Sequence, residues 1–68
     1  MLIKDFKALH LKGSENIKIT LRNGKILFGI LLNDYLNLEK ILIYNYVTEN
    51  EQPEQYINLE VIRELKII

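Results

Sequence analysis

Cysteine is absent from this chain, and histidine, serine and proline occur once each. Without cysteine there is neither a disulfide nor a thiolate zinc site. One histidine, His10, with scattered carboxylates does not make a transition-metal ligand set. Ser14 has no histidine placed as in a nucleophile elbow, so acyl-transfer chemistry is not expected. Asp34 and Glu39 are available as an acid–base pair, yet nothing around them predicts a pocket that would separate their pKa values. The glycines are also few, and Gly24 and Gly29 fall within a strand-turn-strand unit rather than a phosphate-cradling loop. No enzyme and no cofactor are expected.

Long apolar runs are missing as well. No stretch approaches the roughly 20 residues needed to cross a bilayer. The opening "MLIKDFKALHLK" has charges every few residues and no apolar core with a small-residue cleavage site, so it does not read as a signal peptide. A cytoplasmic protein is expected. Net charge is absent too: nine cations balance nine anions, which argues against a general polyanion binder held by counterion release. The charge is unevenly placed, with +4 over residues 1–25 and −4 over residues 26–68. A chain polarised in this way offers one basic face or associates head to tail.

What is present is a high apolar content, 49% in 68 residues. That length makes one domain, residues 1–68. Such a domain buries only about 60% of the surface its unfolded chain exposes, so association is the expected supplement to a small core. Leu2, Ile3, Phe6, Leu9 and Leu11 recur at helical spacing, predicting an amphipathic helix over about residues 2–11 that stops at Gly13. One short helix is not stable alone and must lie on something.

The remainder, about residues 16–68, reads as short strands. "NIKITL" alternates, with Ile17, Ile19 and Leu21 on its apolar face. Asn23-Gly24 predicts a type I′ hairpin, which sets Leu21 opposite Ile26, Ile19 opposite Phe28 and Ile17 opposite Ile30. Ile26, Phe28, Ile30 and Leu32 then face the core, with Leu27 and Leu31 on the other side and Gly29 marking a bend. "NDYLN" reads as a loop. "ILIYNYV" reads as a strand, with Ile41, Ile43 and Val47 on one face and Leu42, Tyr44 and Tyr46 on the other. "TENEQPEQ" is a polar loop, "YINL" a short strand and "VIRELKII" a last one. The class is mainly β: a small barrel of antiparallel strands with one N-terminal α-helix.

Binding chemistry concentrates in "NDYLN", where two amides, a carboxylate and an aromatic ring meet at the tip of a strand pair. Such a set suits an unstacked base, the ring stacking on it and the polar groups reading its edge. The same residues equally serve to close a turn. Tyr44 and Tyr46 share a face and suit either stacking or an interface.

This layout resembles the Sm-like family, which includes the Sm, LSm and Hfq proteins. "ITLRNGKILFGILL" is similar to the family's first motif, with Gly24 at the turn and Gly29 five positions on. "NDYLNL" resembles the loop that follows, with Leu36-Asn37 in its apolar-Asn position and Asn33 or Asp34 in its acidic one. "YINLEVIREL" resembles the second motif, although Asn58-Leu59 replaces its Arg-Gly pair and the Tyr-Lys-His signature of Hfq is absent. The resemblance implies five strongly bent antiparallel strands closed as an SH3-like barrel and a homo-oligomeric ring formed by edge-strand pairing. It implies binding of single-stranded, U- or A-rich RNA at Asn33, Asp34, Tyr35 and Asn37, with Asn58 nearby. Lys4 and Lys7 on the helix are then available to phosphate, and Leu27, Leu31, Leu42, Tyr44 and Tyr46 are expected at the interface or in a second core. The Rof type of Sm-like protein implies an alternative, a protein-binding module acting on an RNA-handling or transcription factor.

Overall fold

A computed structural model of the chain describes residues 1–46 and 53–68. Among these residues the fold is mainly β, with one short helix, α1 (Ile3–Ala8), ahead of five antiparallel strands. These are β1 (Asn16–Leu21), β2 (Ile26–Tyr35), β3 (Lys40–Tyr44), β4 (Glu54–Asn58) and β5 (Ile62–Ile67). They form one sheet in the order β4-β3-β2-β1-β5. The sheet is open, with β4 and β5 at its two edges. Val47 and most of the expected polar loop, residues 48–52, lie outside the described residues.

The helix is shorter than its apolar spacing predicts. His10 takes a left-handed conformation (φ 52°) and its N–H bonds the Lys7 carbonyl, so the chain turns away before Gly13. Phe6 is buried in the core, and Ile3, Leu9 and Leu11 pack against that core from the rim. The connector to β1 is held by Glu15, whose carboxylate accepts the N–H groups of Lys12 (2.5 Å) and Gly13 (2.7 Å).

The first hairpin corrects the expected register. Its pairs are Thr20 with Ile26, Ile19 with Leu27, Lys18 with Phe28 and Ile17 with Gly29, one residue off the type I′ alignment. The turn has three residues instead of two: Leu21 and Lys25 bond across it, and Gly24 alone takes positive φ (89°). Asn23 spends its side-chain oxygen on the Lys25 N–H (2.9 Å). A one-residue slip exchanges the two faces of the second strand. Leu27, Gly29 and Leu31 therefore face inward, while Ile26 and Leu32 are exposed.

Among the described residues the core is Phe6, Ile17, Ile19, Leu27, Leu31, Ile41, Ile43, Ile57, Leu59, Ile62 and Leu65. Leu27 and Leu31, expected at an oligomer interface or in a second core, belong to this one core. At the far end of β2, "NDY" is strand rather than loop; a 3-10 turn (Leu36–Leu38) and a left-handed Glu39 (φ 54°) make the reversal into β3. A second 3-10 turn (Leu59–Val61) links β4 to β5 across the end of the sheet. There Leu59 donates to the Glu39 carbonyl (2.8 Å), and Arg22 donates to the carbonyls of Val61 (N–H, 2.9 Å) and Glu60 (Nε, 2.5 Å).

Candidate nucleic-acid interface

Between Leu31 and Asn33 the β2–β3 register shifts by one residue, leaving Leu32 as a bulge. Beyond it the pairs run Asn33 with Leu42, Asp34 with Ile41 and Tyr35 with Lys40. On the other side of β3, Lys40 pairs with Asn58 and Leu42 with Tyr56. Because Ile41 and Ile43 are fully buried, Lys40, Leu42 and Tyr44 lie on the outer face. One row across three strands is thus Tyr35, Lys40 and Asn58, and the next is Asn33, Leu42 and Tyr56.

The two rows are tied by aromatic and cationic contacts. The Tyr35 and Tyr56 rings sit 5.9 Å apart, tilted by 50°, and Lys40 Nζ stands 4.7 Å from the centre of the Tyr56 ring. A cation over an exposed ring is worth about 0.5–1 kcal/mol, enough to bias the ammonium to this face. Tyr56 keeps 60% of its surface exposed, so the residue is open to a ligand. Beside it a shallow groove of about 360 Å³ is lined by Leu42, Tyr44, Pro53, Glu54 and Tyr56.

Of the residues singled out from the sequence, Tyr35 and Asn58 come together on either side of Lys40, with Asn33 in the adjoining row. Asp34 is exposed but pairs with buried Ile41, on the opposite parity to Tyr35. The Asn33 side chain turns back to accept the Asp34 N–H (2.8 Å). Asn37 is exposed in the 3-10 turn, and Lys4 and Lys7 are exposed on α1, outside the two rows. Of the expected interface set, Leu42 is half-buried and Tyr44 and Tyr46 are exposed.

Lys40 and Tyr56 escaped the sequence reading. Their only local signal is period-two spacing, Lys40 with Leu42 and Tyr44, and Tyr56 with Asn58. What joins them is the β3–β4 pairing across the intervening loop. Chemically the cluster offers two rings for stacking, one cation for phosphate and the Asn58 amide for a base edge.

Comparison with models of known protein families finds no match, and comparisons with curated proteins and with solved structures find none either. No helix among the described residues is long and apolar enough to cross a membrane.

Proposed function

We propose that this chain is an Sm-like, non-catalytic, cytoplasmic RNA-binding module that takes single-stranded, U- or A-rich RNA. The observation that carries the proposal is the row Tyr35, Lys40 and Asn58, with the Tyr56 ring beside it. It combines a stacking surface, a cation and an amide at the two connections that resemble the family's RNA-binding loops. In this reading the strands wrap as a small barrel, with the 3-10 turn after β4 spanning the gap between its edges. Among the described residues both edge strands keep one unpaired side, and pairing β4 of one copy with β5 of the next covers every edge when the ring closes.

The test is a titration of short oligo-U and oligo-A at two salt concentrations, with light scattering on the same protein. The expected result is an oligomer whose RNA affinity falls with salt and drops for Tyr35→Ala combined with Asn37→Ala. A monomer removes the ring. Affinity unchanged by the double substitution moves the site elsewhere. Failure to bind at low salt favours the Rof-like alternative, for which the groove over Leu42 and Tyr56 with Glu54 at its side would serve as a protein contact.

A further inference from the structure

The outer face of the sheet carries a second cluster, away from Tyr35, Lys40 and Asn58. Lys18 on β1 lies directly opposite Lys66 on β5 and directly opposite Phe28 on β2. Like charges facing each other on neighbouring strands repel, and a fold gains nothing from placing them so. Glu64 offsets part of this from the same strand, 3.6 Å from Lys66, but both of those side chains are more than half exposed and the pair is weak. Among the described residues no carboxylate lies within ion-pair distance of Lys18. This row thus sets two lysines and a half-buried phenylalanine side by side in register, cations and a ring that suit an anion attached to an aromatic body.

The Leu32 bulge connects this cluster to the first one. Strict alternation along β2 would put Phe28 and Ile30 on the face of Leu32 and Asp34. The extra residue reverses the parity, so Phe28 and Ile30 share the outer face with Asn33 and Tyr35. The rows then follow one another without a break. Lys66, Lys18 and Phe28 come first, then Ile30, Tyr44 and Glu54, then Asn33, Leu42 and Tyr56, and last Tyr35, Lys40 and Asn58. Every row holds an aromatic ring, and both end rows hold cations.

We infer that a single RNA strand runs along this outer face, its bases stacked over Tyr35, Tyr56, Tyr44 and Phe28. Its phosphates are drawn to Lys40 at one end and to the Lys18–Lys66 pair at the other. The inference rests on the RNA reading above and extends it from a loop pocket to a track. Stacking of this kind tolerates any base, because every base presents a π face, while the cations fix the path of the backbone. Among the described residues, Glu54 in the second row and Glu64 beside Lys66 are the carboxylates of this track, and they keep phosphate to the lysines.

The experiment titrates oligo-U of roughly 6 and roughly 16 nucleotides, lengths within the range single-strand-binding domains cover. Wild-type protein is compared with Lys18→Gln/Lys66→Gln, Lys18→Arg/Lys66→Arg, Phe28→Leu and Tyr35→Ala. Wild type is expected to bind the longer strand at least about tenfold tighter than the shorter one. The glutamine pair removes most of that gain and leaves the shorter strand unaffected, while the arginine pair retains it. Loss of two phosphate contacts flattens the slope of log affinity against log salt by about 1.4 for the longer strand. Phe28→Leu, which keeps an apolar side chain under the track, reduces only the longer strand's affinity. The track is overturned if the two lengths bind equally, or if the glutamine pair changes neither affinity nor slope, while Tyr35→Ala still weakens the shorter strand. That outcome leaves the loop site standing. If wild type binds neither length, both readings fall.

Discussion

Gly29 passes so close to Tyr44 that a Cβ on Gly29 would lie 2.6 Å from the Tyr44 carbonyl oxygen and 3.2 Å from its carbonyl carbon. The obstacle is main chain, which does not rotate aside. Gly29→Ala is therefore expected to force β2 and β3 apart and to cost about 1–3 kcal/mol, the range for overpacking a filled interior. Urea denaturation monitored by circular dichroism measures it. An unchanged midpoint would mean that the two strands separate at no cost.

Gly24 makes the converse case, with open space around it and a backbone that side chains resist. Nothing lies within 4 Å of a Cβ placed there, but its φ is +89°. Gly24→Ala is expected to lose about 1–2 kcal/mol through left-handed strain alone. The β1–β2 register should survive, because the core on that face is unaltered. Amide exchange of the Leu21 N–H, bonded to the Lys25 carbonyl, is the local probe.

Phe6 is the one residue of α1 that enters the core. A six-residue helix has no stability of its own, so this ring is its anchor. Phe6→Ala is expected to cost about 3–5 kcal/mol. The helical part of the far-UV signal should be lost ahead of the sheet. Coincident loss of the two would place α1 in the same cooperative unit as the strands.

The Lys12 N–H, the nearest donor to the Glu15 carboxylate, holds that carboxyl below the ordinary glutamate range, and the Gly13 N–H acts in the same sense. A carboxyl whose pKa is lower in the folded chain adds stability above its unfolded value and loses it as pH falls through the folded one. Wild type should therefore exceed Glu15→Gln in stability near neutral pH and converge on it in acid. Chemical denaturation of both proteins across that interval reads the difference. A gap that stays constant into strong acid is incompatible with the lowered pKa.

Lys40 Nζ stands 4.7 Å from the centre of the Tyr56 ring on the proposed RNA-binding face. Tyr56→Phe keeps the ring and should bind RNA as wild type does. Tyr56→Ala should lose about 1–3 kcal/mol of binding, the value of one stacked base. Equal affinities for the two variants would take Tyr56 out of the site.

The strands could be read from the sequence because β1 alternates cleanly and the Asn23-Gly24 pair marks the reversal. The register could not. β2 is apolar at Ile26, Leu27, Phe28, Ile30, Leu31 and Leu32, so either face satisfies a hydrophobic core, and alternation offers no vote between them. A three-residue turn, with Gly24 left-handed and Asn23 not, decided it in favour of Leu27 and Leu31. The grouping of residues in the candidate site was half legible for a related reason. Tyr35 and Asn58 stand in segments that signal themselves, whereas Lys40 and Tyr56 become neighbours only through a pairing that no local pattern encodes.

The β1–β5 ladder has a consequence in time. Ile17 pairs with Ile67, so the first strand receives its second neighbour from the last one. Hairpins β1–β2, β2–β3 and β3–β4 join neighbours in sequence and close short loops, each at little entropic cost. Until β5 arrives, one edge of β1 stands open, and Ile62 and Leu65 are missing from the core around Ile17 and Ile19. Long-range closure of this kind makes folding slow for a chain of this length. The interval before it is when a nascent sheet is most exposed to pairing with the wrong strand.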